Sequence, residues 1–192
     1  MNRSATVVRT TKETEIKLVL SLDGGPSEIN TGVGFFDHML TLFSHHGGFG
    51  IKLTAKGDLY VDAHHTVEDV GIALGEAFYT AAGDKMGIAR YGFFLLPMDE
   101  TLTEVAVDFG GRAFLVYDVK YNYSGSDFDM ALVEEFFRAF TSNAKMNLHI
   151  NLRYGTNDHH KAEAVFKATA RALKAAVKID SKILPSTKGV IA

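Results

Sequence analysis

HHTVEDVGIALGEAF, residues 64–78, and HHKAEAVFKATARAL, residues 159–173, are two versions of one pattern. Both open on a histidine pair and place a glutamate three residues after the second histidine. Val70, Ala73 and Ala77 return as Val165, Ala168 and Ala172. In the first copy Val67, Val70, Leu74, Ala77, Phe78 and Ala81 recur at helical spacing, so each copy predicts an amphipathic helix. Working upstream, DHML (37–40) lies over EEFF (134–137), with offsets of 95 and 97 residues leaving little slippage. No third copy fits, so the chain reads as a duplicated unit and not a solenoid.

The segments around these helices set the fold class. ATVVRTT and TEIKLVLSL predict strands, the second by apolar alternation at Ile16, Leu18, Leu20 and Leu22. DGGPSEINTGVG reads as a loop. FFDHMLTLFSHH predicts a short helix stopped by Gly47 and Gly48, and FGIKLTAKG a strand. Asp62 reads as the cap of the first HHxxE helix, and Gly83 as its stop. DKMGIARYG (84–92) reads as a connecting loop. ETLTEVAVDFGG and AFLVYDVKYN then predict strands, DMALVEEFFRAFTSNA a helix, MNLHINLRYG a strand, and residues 158–177 a helix capped by Asp158. The expectation is an α+β protein of internally duplicated β-β-α-β-α halves. Residues 1–84 form the first half, 85–180 the second, and 181–192 an irregular tail in which Pro185 opposes helix.

Composition narrows the function. A chain of 192 residues with 46% hydrophobic and 22% charged residues can bury a core and is not a disordered chain. Net charge is −3 with no long basic run, which argues against nucleic-acid binding. Without cysteine, disulfides and thiolate metal sites are excluded. No apolar run approaches the ~20 residues of a membrane span, and the N-terminus lacks a signal-peptide core, so a cytoplasmic location is expected. A mean hydropathy of +0.03 and 14 phenylalanines point to apolar surface shared between subunits.

The histidines carry the chemistry. At a helix start, Glu68 stands beside His64 or His65. The two imidazoles project about 100° apart, poorly placed for one ion and well placed for two. His159, His160 and Glu163 repeat the arrangement. A single HHxxE is usually a solvated helix start, but its recurrence at one place in a duplicated unit favours cation binding. His38, in mid-helix, is a further candidate ligand. His45 and His46 suit a helix C-terminus, where the dipole favours positive charge. Imidazole and carboxylate donors suit manganese, iron, zinc, cobalt or nickel, and the residues alone do not choose. STKG (186–189) offers a hydroxyl, backbone N–H groups and a lysine to an anion. Arg90 and Arg112 are further anion candidates. On these residues alone, a two-metal hydrolase and a metal-assembled structural protein both remain open.

Taken in order, TKET (11–14), GFFDHML (34–40), HHGGF (45–49), DAHHTVEDVGIALGEA (62–77), RYG (90–92), DFGGR (108–112), NDHHKAEAVFKA (157–168) and STKG (186–189) resemble the imidazoleglycerol-phosphate dehydratase family of histidine biosynthesis. The resemblance covers nearly the whole chain. It implies two similar halves with helices packed between mixed sheets, and a homo-oligomer of 24 subunits built from trimers with sites completed between subunits. It implies two manganese ions per site, held by His38, His64, His65, Glu68, His159, His160 and Glu163. It implies Glu13 as acid/base, His46 as a substrate contact, and Arg90, Arg112, Lys167, Ser186, Thr187 and Lys188 around the substrate phosphate. The implied reaction removes water from imidazoleglycerol phosphate to give imidazoleacetol phosphate through a metal-bound imidazolate. One departure stands out: the family's HFF, whose histidine is a ligand, reads EFF here. Glu135 takes that place, either as an oxygen donor or with the gap filled by water or Glu134.

Overall fold

In a computed structural model that describes residues 3–122 and 128–191, the chain folds as two copies of one six-element unit. The first comprises β1 (Ser4–Thr10), β2 (Thr14–Ser21), β3 (Glu28–Asn30), α1 (Gly34–Gly47), β4 (Gly50–Gly57) and α2 (His64–Ala81). The second comprises β5 (Tyr91–Met98), β6 (Thr101–Asp108), β7 (Phe114–Asp118), α3 (Ala131–Ala144), β8 (Asn147–Tyr154) and α4 (Asp158–Ala176). The sheets have the orders β1-β2-β4-β3 and β5-β6-β8-β7, which are the same order displaced by four strands. The α+β class and the duplication therefore stand.

Each half carries one strand more than the sequence pattern suggested. In the first half it is β3, three residues inside a Gly- and Pro-bearing loop, paired parallel to β4. In the second it is β5, whose Pro97 reads as a breaker. Proline is tolerated because β5 is an edge strand, where one side of the ladder needs no partner. The two parallel pairs, β3 with β4 and β7 with β8, are each joined through a helix, the connection that parallel strands require.

The helices lie between the sheets. α2 packs on β1 and β2, and α4 on β5 and β6. α2 meets α3 and α4 meets α1, so the two halves are joined by helix pairs. Phe43, Phe78 and Phe140 meet edge to face at the centre, with ring centroids 5.3–6.0 Å apart. Such fully buried aromatic contacts add roughly 0.5–1.5 kcal/mol each beyond area burial. α4 also seats tightly against β5. A Cβ placed on Gly92 would lie 1.8 Å from the carbonyl oxygen of Ala172, so only glycine allows this approach.

The helix ends differ in part from expectation. α1 stops at Gly48 in the left-handed conformation, as the Gly pair predicts. At α4 the cap is Asn157, which accepts from the N–H groups of His159 and His160. Asp158 instead accepts from the buried Lys161 ammonium at 2.7 Å. At α2 the cap position is Ala63, with Asp62 accepting from the His64 N–H one residue further out.

Candidate active site

The two HHxxE starts lie at the N-termini of α2 and α4, and His64 and His159 line one cavity of about 1120 Å³ between the halves. On α4, Glu163 is buried one turn above His159. α1 runs alongside and brings in His38. Nε2 of His38 and Nε2 of His159 each lie 3.0 Å from Oε1 of Glu163. Lys167 closes on the other oxygen of the same carboxylate. Burial opposes charge on Glu163, but the hydrogen bonds from Lys167, His38 and His159 outweigh it and hold the carboxyl down to about 2.

These three donors fit a divalent cation. All lie within 4.8 Å of one another, and they are nitrogen and oxygen without sulfur. Ligands about 2.1 Å from an ion and at right angles to each other stand about 3 Å apart, which is the spacing found between Glu163 and each histidine.

The matching trio is His64 and Glu68 at the start of α2 with Glu135 on α3. It is not gathered in this way among the described residues. Glu135 turns toward Arg138 at 3.6 Å, and Arg138 also holds Glu134 at 2.5 Å. Glu68 makes no hydrogen bond or ion pair among the described residues and remains half-buried on the first turn of α2.

The second histidine of each pair faces the loop that opens β2 or β6. His65 places Nδ1 at 3.0 and 3.2 Å from the two carboxylate oxygens of Asp58, and its Nε2 lies 3.8 Å from Glu13. His160 places Nδ1 2.8 Å from Glu100. Hydrogen bonding to Asp58 and to Glu100, respectively, raises the pKa of each imidazole, and the hydrogen bond from His160 leads in holding Glu100 far below the usual carboxylate range. Glu13 itself is half exposed, on a turn where Thr11 Oγ1 accepts from the N–H groups of Glu13 and Thr14. Asp69 braces that turn by accepting from Thr14 and from Arg9.

The anion candidates divide between two places. Lys167 stays with Glu163, near His46, whose pKa is lowered by burial first and then by the positive charges of Lys167, His45 and Arg171. Arg90 lies at the far end of the second sheet. It donates to both oxygens of Asp108 and to the carbonyl of Pro185, and so fastens the C-terminal tail. Ser186 closes a turn through Val190 O and the Lys188 N–H, leaving Thr187 and Lys188 exposed. Arg112 is exposed beyond β6. Sequence reasoning did not single out Asp58, Glu100, Asp69 or Asp108. Glu100 was discoverable, because DET (99–101) repeats the KET of residues 12–14.

The site is thus a duplicated α+β frame in which imidazole and carboxylate donors from α1 and α4 converge. Residues 31–173 match the family described as imidazoleglycerol-phosphate dehydratase. A dehydratase of that name from Thermodesulfovibrio yellowstonii is 56% identical over 98% of this chain and 100% of its own. One from Streptococcus mutans is 55% identical over 98% and 100%. Among solved structures, the Staphylococcus aureus dehydratase is similar with a TM-score of 0.85 at 43% identity, covering 92% of this chain and 99% of that one. The Pyrococcus furiosus enzyme in complex with (S)-C348 has a TM-score of 0.85 at 37% identity, covering 96% and 99%. The chain belongs to the imidazoleglycerol-phosphate dehydratase family and is a hydro-lyase.

Proposed function

We propose that the chain dehydrates imidazoleglycerol phosphate to imidazoleacetol phosphate in histidine biosynthesis, at a site holding two manganese ions. The observation that carries the metal part of this reading is the convergence of His38 and His159 on Glu163 at a spacing that suits a divalent cation. His64, His65, Glu68, Glu135 and His160 complete the donor set. When bound, the ions supply Lewis-acid stabilisation of negative charge on the imidazole ring. Glu13 is placed beside His65 with its carboxylate exposed, suited to take the proton from the carbon bearing the second hydroxyl. The hydroxyl on the ring-attached carbon leaves as water, and the resulting enol becomes the ketone. His46, Arg90, Arg112, Lys167, Ser186, Thr187 and Lys188 hold the substrate, most of them at its phosphate, and fix its orientation.

The distribution of these groups supports a site shared between subunits. Arg90 pairs with Asp108 at the end of β6, whereas His160 pairs with Glu100 before its start. The eight residues of β6 span about 23 Å. That is far longer than the three-carbon chain between ring and phosphate, so one substrate reaches both ends only if a second copy supplies one of them. Tyr91, Phe93 and Leu95 on β5 and Phe114 on β7 also expose large apolar side chains, which suits a face covered by another subunit. We read the assembly as 24 subunits built from trimers, cytoplasmic, without nucleic-acid partners. Among the described residues no helix is long and apolar enough to cross a membrane.

The test is removal of metal by chelation, with metal content and imidazoleacetol phosphate formation measured together. Turnover should vanish with the metal and return on adding Mn²⁺. Full turnover in metal-free protein refutes the reading.

A further inference from the structure

Glu13 and Glu100 occupy the same place in the two halves. Thr14 opens β2 and Thr101 opens β6, both almost fully buried, and each follows one of these glutamates. The ladder confirms the register at the other end of the strands. Leu22 donates to Arg3 O, and Phe109, the same 87 residues further on as Thr101 from Thr14, donates to Arg90 O. His65 and His160 are likewise equivalent within the HHxxE pairs. The two halves therefore carry like glutamates, each beside the second histidine of a pair.

Their surroundings now differ. The carboxylate of Glu100 is saturated. One oxygen meets His160 Nδ1 at 2.8 Å, and the other accepts from Asn157 N at 2.7 Å, Thr156 N at 3.1 Å and Thr101 Oγ1 at 3.0 Å. Among the described residues the carboxylate of Glu13 has only His65 Nε2, at 3.8 Å, and is 53% exposed. The cause lies one residue beyond a glycine. Thr14 pairs with Gly57, and Gly155 lies against Thr101, so Asp58 and Thr156 occupy matching positions after the last strand of each sheet. Asp58 carries a carboxylate and takes His65 Nδ1. Thr156 has none, so the Nδ1 of His160 is served by Glu100.

We propose that Asp58 and Glu100 are positioning residues with the same task. Each accepts the Nδ1 proton of its histidine and thereby leaves the Nε2 lone pair free for a cation. A carboxylate behind a ligating imidazole fixes the tautomer and orients the ring. Asp58 relieves Glu13 of that task, which leaves Glu13 free to move a proton, while Glu100 cannot take the equivalent part. This assignment rests on the cation reading of the HHxxE pairs.

The test uses the intact assembled protein and Mn²⁺ as the probe. Chelator competition gives the affinity of each class of site, metal analysis gives the stoichiometry, and thermal melting of the metal-free proteins controls for folding. Glu100→Gln should weaken one class of site by about 10–100-fold and leave the other unchanged, and Asp58→Asn should do the same to the other class. Glu13→Gln should keep both within about twofold. Wild-type affinity at both classes in Asp58→Asn and Glu100→Gln overturns the assignment, as does Glu13→Gln weakening a site as much as Glu100→Gln does. A wild-type protein that binds no Mn²⁺ overturns the cation reading beneath it.

Discussion

The two halves share a strand order and a helix order, yet they hold their polar groups differently. The second half is closed. Glu163 binds His38, His159 and Lys167, Glu100 is filled by His160 and the α4 loop, and Arg90 is locked on Asp108. The first half is open. Glu68 is unpaired among the described residues and Glu13 is half exposed, while Glu135, the α3 group that by sequence equivalence belongs with His64 and Glu68, is held by Arg138. A duplicated frame thus kept its backbone while its carboxylates took different partners. Backbone register is set by many cooperating hydrogen bonds and a shared core, whereas a surface carboxylate changes partner with one substitution or a shift in loop length.

Exchanging the matched residues tests the comparison. The largest effect is expected from Glu13→Gln, which should lower kcat by about 10²–10⁴-fold at saturating Mn²⁺. Glu100→Gln, assayed in the same way, should recover most of its turnover once metal saturates. Equal losses in the two would erase the distinction between the halves. Next comes the seat of α4. Gly92→Ala forces a Cβ into the Ala172 carbonyl and should cost about 3 kcal/mol or more in denaturant unfolding. Its counterpart in β1 is Ala5, already buried, and Ala5→Gly should cost only about 1 kcal/mol.

A smaller contrast separates the ion pairs of two arginines, Arg3 and Arg90, that occupy matching places. Arg90 and Asp108 are mostly buried, with side chains 17% and 21% exposed, so Asp108→Asn should cost about 1–3 kcal/mol. Amide exchange in residues 181–190 should rise as well, because Arg90 also holds Pro185. Asp23, paired with Arg3, is 47% exposed, and Asp23→Asn should cost under about 1 kcal/mol after solvent screening. The last prediction concerns pH. The hydrogen bond from Arg3 lowers the Asp23 pKa below 3.8. Its contribution is therefore present above that value and is lost as pH falls toward the folded-state pKa. The melting temperatures of wild type and Asp23→Asn should differ at pH 7 and converge toward pH 3. A difference that persists unchanged at pH 3 assigns the effect to packing.

Most of the architecture was legible because its signals are local. Apolar spacing from Val67 to Ala81 gave α2, alternation from Ile16 to Leu22 gave β2, and Gly48 marked the end of α1. β5 escaped because Pro97 breaks the pattern, and nothing nearby says that the strand will sit at an edge. β3 escaped because three residues carry no period. In the site, His159 and Glu163 were legible as neighbours one turn apart. His38 was legible as a candidate, but its contact with Glu163 spans 125 residues and follows from α1 lying along α4. Asp69 read as part of a helix start, and its role in bracing the Glu13 turn needed β1 and β2 beside α2.

By itself the sequence determined the duplication, the order of most elements, and which side chains are available as donors. These follow from residue type and from periods of two and 3.6, which act over a few neighbours along the chain. Only the tertiary structure decided that Asp58 stands behind His65 while Glu100 stands behind His160, and that the histidine cluster and the Arg90 end lie a strand's length apart. Those outcomes depend on register, loop length and the packing of helices distant in sequence, where a single carboxylate goes to whichever donor the folded chain brings within about 3 Å.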